Sequence, residues 1–179
     1  KQVGALTAAQ LTAMATGELF NSLTSAQISK INLNSISGIA TASIASLSVE
    51  EVEQLTANQF RQFSTAQIVA LTEAQIAKIS TLAISGLSNT ALIAMDTADI
   101  AALTSVQIAN LSAGQISAFS TADLAQFTSS ELQSLTTAHA AVLSASQLAS
   151  LTSANFQSLE TADVRAINAT SLAAMGTAH

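Results

Sequence analysis

From Ser64 to Phe127 the chain repeats itself every eight residues: STAQIVAL, TEAQIAKI, STLAISGL, SNTALIAM, DTADIAAL, TSVQIANL, SAGQISAF, STADLAQF. A fixed period of this kind turns length into a count of modules, each too small to fold alone and each completed by its neighbours. The same frame runs without a gap from Thr24 to Met175, nineteen octads in all. Before it, Thr7 to Met14 is a further octad, Ala15 is one extra residue, and TGELFNSL (16–23) restarts the frame. Residues 1–179 therefore read as one continuous array with a phase slip near 15, cut mid-repeat at both ends.

Numbering each octad from its Ser or Thr, the eighth position is Ile, Leu, Phe or Met in all nineteen, and the fifth is Ile, Leu, Val or Phe in eighteen. The exception at position five is Ala140, where Val142 is expected to lean in instead. All six Phe and all three Met fall on these two positions, which marks a core and not a cofactor box. Position one is Ser or Thr in fourteen octads, and position four is Gln, Glu, Asp or Asn in thirteen. Ser/Thr-x-x-Gln/Glu before an apolar residue is the capping box, in which the hydroxyl accepts from the N3 amide and the N3 side chain reaches back to the N-cap amide. Each octad thus announces a helix start.

One uninterrupted helix fails, because an eight-residue step advances about 80° past two turns and the apolar pairs would spiral around the rod. A β-solenoid is the alternative fold, but apolar positions three and then five apart do not alternate, and Ala and Gln are poor strand formers. The spacing predicts an all-α solenoid: a helix of about six residues per octad, positions five and eight facing inward one turn apart, and stacked coils supplying what so short a helix lacks alone. The segments around SAQISKI and EAQIAKI, with their following Gly38 and Gly86, match at a spacing of 48 residues, or six octads. Six divides by two and by three, so the octads per coil stay open. The two glycines are expected at a corner requiring positive φ.

Composition narrows the function classes. With 49% apolar and 9% charged residues the chain has the material for a core. No apolar run approaches the roughly 18 residues of a membrane span. Five Lys and Arg against eleven Asp and Glu give a net charge of −6, the wrong sign for neutralising phosphates. Neither nucleic acid nor membrane insertion is expected. Cysteine is absent, so there is no disulfide framework and no thiolate chemistry.

Residues that could carry chemistry are explained by the repeat. His139 and His179 both sit at position four, where they replace Gln as caps; as metal ligands they would need Glu131 or Asp163 from the same position. Asp96 and Asp99 lie on one turn and Glu50, Glu51 and Glu53 cluster, but helix N-termini attract acids through the dipole alone. No glycine-rich phosphate loop or catalytic constellation stands out, so no enzyme, cofactor or metal is predicted. Repetition does offer ladders: Thr65, Thr97, Thr121, Thr137 and Thr161 would line up if coils superpose, giving a face that could bind a regular surface such as a glycan or ice.

The octads LTSVQIANL (103–111) and FSTAQIVAL (63–71) resemble repeats of very long secreted or surface-displayed bacterial adhesin-like proteins. The resemblance covers nearly the whole chain and implies an extracellular or cell-surface stalk or fibre; the repeat cut at both ends and the weakly charged exterior add the expectation of end-to-end or lateral self-association. It carries no catalytic or binding residues.

Overall fold

The structure, a computed structural model, describes residues 3–15 and 22–175. Among these residues the fold is all-α, with no strand, which removes the β-solenoid alternative. The chain divides into two compact units, Lys1–Met95 and Asp96–His179. The first holds α1 (Ala8–Ala15), α2 (Ser25–Ile28), α3 (Thr41–Ala45), α4 (Val49–Glu53), α5 (Ala57–Phe60), α6 (Thr65–Val69), α7 (Glu73–Ile76) and α8 (Asn89–Ala94). Short 3-10 turns, Leu33–Gly38 and Ile84–Gly86, stand where two further octads would place α-helices. The second unit holds α9 (Thr97–Ala101), α10 (Ser105–Ala109), α11 (Ala113–Ala118), α12 (Thr121–Ala125), α13 (Ser129–Gln133), α14 (Thr137–Ala140), α15 (Ala145–Ser150), α16 (Ser153–Gln157), α17 (Thr161–Ala166) and α18 (Ala169–Ala174).

Each helix is short because its octad supplies both its start and its stop. The N-cap residue is extended, as at Ser64 (φ −69°, ψ 159°). From α2 to α18 the chain then winds for four to six residues, against eight in α1, and returns to an extended conformation at the next junction. At that junction Ser64 Oγ accepts from the Gln67 amide at 3.2 Å, and Gln67 Oε1 accepts from the Ser64 amide at 2.8 Å. The two halves of the predicted capping box are thus both present, and the same pair closes at Ser112 and Gln115.

The helices stack three octads apart. In the first unit α2 packs on α4, α3 on α6, α4 on α7 and α6 on α8; in the second α9 packs on α12, α11 on α14, α12 on α15, α14 on α17 and α15 on α18. One coil therefore takes three octads, which settles what the 48-residue match left open: it spans two coils. Within each unit the fold is an all-α solenoid of short capped helices, with positions five and eight forming its axis. Ile68, Ile76, Leu92, Ile108 and Leu148 are almost wholly buried at position five, and Leu71, Ile79, Leu111 and Leu151 at position eight. Phe60 and Phe63 take both positions of one octad, and their ring centroids lie 5.3 Å apart.

Two expectations are corrected. Ala140 keeps the inward position at 0% exposure while Val142 remains 39% exposed: Val142 lies two residues further round the helix, on the side away from the axis. Gly38 and Gly86 are not required for positive φ. A Cβ on Gly86 would lie 2.3 Å from the carbonyl oxygen of Ala57 and 2.8 Å from its Cα, and one on Gly38 would meet the Ala8 backbone as closely. Glycine stands there because 3-10 turns of one coil press against helices of the next, α5 against Ile84–Gly86 and α1 against Leu33–Gly38.

Candidate functional site

The most organised polar feature is a ladder formed by position four. Its side chains cap their own helix and also reach down to the coil beneath. While Gln67 Oε1 holds the Ser64 amide, Gln67 Nε2 donates to the carbonyls of Ile36 and Ile39 at 2.9 and 2.7 Å. Gln75 Nε2 likewise donates to Ile44 at 3.0 Å and Leu47 at 2.6 Å, and Gln59 Nε2 to Ile28 at 3.0 Å. In the second unit Gln147 Nε2 reaches the Phe119 carbonyl at 2.8 Å and Asn155 Nδ2 the Phe127 carbonyl at 3.2 Å. The acceptors are carbonyls of positions five and eight in the octad beneath: those of Ile28, Ile36 and Ile44 also accept from the amide three residues on, whereas those of Ile39, Leu47, Phe119 and Phe127 lie past the ends of their helices. Ser35 does the same with a hydroxyl, donating to the Leu6 carbonyl at 2.6 Å across the phase slip.

His139 fits this ladder as a variant cap. Its Nδ1 accepts from the Thr136 amide at 3.2 Å and its Nε2 lies 2.8 Å from the Leu111 carbonyl, which assigns the tautomer with the proton on Nε2. Both nitrogens are thereby engaged. The stacking of α17 on α14 brings Asp163 next to His139, whereas Glu131 belongs to α13 in a different stack. Among the described residues no group of three or more His, Cys, Asp or Glu is arranged to hold a metal ion. His179 lies outside the described residues.

The acids divide by task. Asp96 accepts from the Ala98 and Asp99 amides at 2.9 Å each, Glu51 Oε2 accepts from the Ser48 amide at 2.8 Å, and Glu131 Oε2 from the Thr128 amide at 2.7 Å. These are caps, and the dipole of a helix start favours them. Glu50 and Glu53 lie on α4 beside Glu51 and face outward. Asp163 differs: its Oδ2 is buried without a hydrogen-bond partner. Burial raises its pKa above the ordinary 3.8, the Glu160 carboxylate raises it further, and His139 opposes both.

The threonines do not form one row. Thr97 and Thr121 open the stacked helices α9 and α12, and Thr137 and Thr161 open α14 and α17, so four of them make two pairs on two stacks. Thr65 opens α6 in the first unit and is half-buried, while the other four are exposed. Three octads per coil puts equivalent residues 24 apart, and only Thr97 with Thr121 and Thr137 with Thr161 satisfy that spacing within a unit. In the first unit an open groove is lined by Lys30, Asn32, Asn34, Thr56 and Asn58. Arg61 donates to Asn58 Oδ1 beside it, at 2.6 Å.

No helix among the described residues is long and apolar enough to cross a membrane. Residues 90–129 match the family model described as the ALTTAQ repeat. The six residues ALTSVQ (102–107) within that stretch span one junction, from the end of one octad through the cap Thr104 to the position-four Gln107. No curated protein matches the chain. The chain is a tandem-repeat protein.

Proposed function

We propose that this chain is a structural, adhesive extracellular repeat protein, a stalk or filament segment built by coil stacking and extended by self-association. The observation that carries the reading is the position-four ladder. Its side chains bond the coil below through main-chain carbonyls that every coil offers, so any further coil of the same kind would find the same acceptors. An architecture whose polar chemistry is directed along its own axis suits a load-bearing or spacing role. The exterior of Ala, Ser, Thr and Gln, with few charges, offers little repulsion to lateral packing of fibres. No catalytic role is proposed.

Electron microscopy of the purified chain tests this. Filaments or oligomers of uniform width are expected, growing with concentration. A chain that stays monomeric by analytical ultracentrifugation up to millimolar concentration would overturn the assembly part of the proposal. A second reading, a binding module for a regular surface such as a glycan or ice, is favoured only by the exposed pairs Thr97/Thr121 and Thr137/Thr161. Changing all four to Val and measuring adhesion to glycan-coated surfaces separates the two readings: loss of adhesion with unchanged assembly supports the module.

A further inference from the structure

We propose that Asp163 is a proton-operated clasp between the coils carrying α14 and α17: when its carboxyl is protonated, Oδ2–H donates to the main-chain carbonyl of Leu135, and when it is ionised that bond is lost and α17 loosens. Register identifies the acceptor. His139, Gln147 and Asn155, the three preceding ladder positions, each engage the carbonyl 28 residues upstream, at Leu111, Phe119 and Phe127; for Asp163 the same step ends on Leu135. Reach is sufficient, because Asn155 spans the gap with a side chain of the same length as aspartate.

Asp163 is the one ladder acid that is as dry as the amide donors. The buried amide donors Gln59, Gln67, Gln75 and Gln147 are 1–5% exposed and Asp163 falls among them at 3%, whereas Asp99, Asp123 and Glu131 are 6–9% exposed. Those acids lie at their helix starts as caps. In α17 the N-cap is Glu160, whose side chain makes no cap bond, and Asp163 Oδ2 is left buried and unpartnered. An ionised oxygen there would face carbonyl dipoles with no donor, and a buried polar atom without a partner is costly. A proton taken from solvent converts the same oxygen into the donor that the site requires.

The charged surroundings agree. α14 packs against α17 and carries one titratable group, His139; α17 itself adds Arg165, exposed, and its N-cap Glu160. Burial and Glu160 push the carboxyl's pKa up while His139 pulls it down, and the net direction is up. The contribution to stability is therefore fully present below the ordinary carboxylate value and is lost as pH rises through the raised value in the folded chain.

The test uses the full chain, wild type, Asp163→Asn and Asp163→Ala, with thermal midpoints read by circular dichroism from about pH 3 to pH 8. Asp163→Asn supplies a permanent donor, so its midpoint should equal the wild type's at the acid end and exceed it increasingly toward neutrality, by several degrees at about 2–4 °C per kcal/mol. Asp163→Ala folds, since Ala83 and Ala91 occupy position four natively and are buried; it should fall below wild type in acid and converge on it, or pass above it, at neutral pH. The Asp163 carboxyl carbon, followed by NMR, should titrate above 3.8. A difference between Asp163→Asn and wild type that does not change with pH, or a carboxyl titrating at or below 3.8, overturns the clasp.

Discussion

Replacing Gln67 by Glu isolates the coil-to-coil half of the ladder from the capping half. The carboxylate keeps an oxygen for the Ser64 amide, now held at 2.8 Å, but loses both donations from Nε2 to the Ile36 and Ile39 carbonyls. Gln67 is 2% exposed, so water cannot replace the missing donors. The Ile36 carbonyl keeps the Ile39 amide at 3.0 Å, so only the Ile39 carbonyl loses its donor, and leaving one buried polar group unsatisfied costs about 1–3 kcal/mol. At about 2–4 °C per kcal/mol for a chain of this size, the thermal midpoint should fall by roughly 2–12 °C at pH 7. Gln27→Glu is the matched control. Gln27 is exposed and accepts from the Thr24 amide at 2.8 Å, a bond a carboxylate keeps, so its cost should stay within about 0.5 kcal/mol. Melting both variants by circular dichroism decides the matter. Equal midpoints would refute the idea that the second bond holds coils together. Acidification supplies a further check: the Gln67→Glu deficit should shrink as the introduced carboxyl protonates and regains a donor.

Gly86→Ala should destabilise by about 1–3 kcal/mol or more because its Cβ meets fixed backbone at Ala57, whereas Gly114→Ala, exposed at the second residue of α11, should stabilise by up to about 0.5–1 kcal/mol; denaturant midpoints compare the two. Ile76→Ala, at a fully buried position five, should cost about 2–5 kcal/mol, while Ile93→Ala, 66% exposed at position six of its octad, should stay within about 0.5 kcal/mol. Urea unfolding of both checks that the axis, and not general apolarity, holds the array.

What was legible in the sequence lay within one octad. The Ser64–Gln67 capping box, the inward pair Ile68 and Leu71, and the helix start at each junction all depend on residues no more than seven apart, and local geometry fixes them. The second bond of Gln67 ends on Ile36 and Ile39, 31 and 28 residues upstream, and naming those acceptors requires the number of octads per coil. The 48-residue match could not supply that number. Gly38 and Gly86 were visible as exceptions, but their cause is an approach between coils and not a backbone angle, so it too waited on the register. The threonine ladder failed as a single row for the same reason: Thr97 and Thr137, 40 residues apart, start helices in octads that do not superpose at three per coil. Asp163 looked like any other cap in the sequence, because nothing in TADV reveals that its N-cap, Glu160, leaves the box open.

The ladder also explains how helices of four to six residues persist at all, since isolated pieces of that length are unstable in water. Such a helix has nearly as many unsatisfied end groups as internal bonds. Its own capping box answers the amides at its start. The position-eight carbonyl past its end, as at Ile39 and Leu47, is answered by the position-four donor of a later coil, so each coil is finished only when the next has stacked on it. Apolar burial follows the same direction: Ile108 and Ile116 are almost wholly buried, whereas Phe156, Val164 and Leu172, with no described coil beyond them, are half-buried at the same position. Stability in such an array accumulates through neighbour contacts, and here those contacts are directional, amide side chain above and main-chain carbonyl below. A coil with nothing stacked on it is then incomplete in two ways at once, in its carbonyls and in its axis, and another coil with Gln at position four answers both.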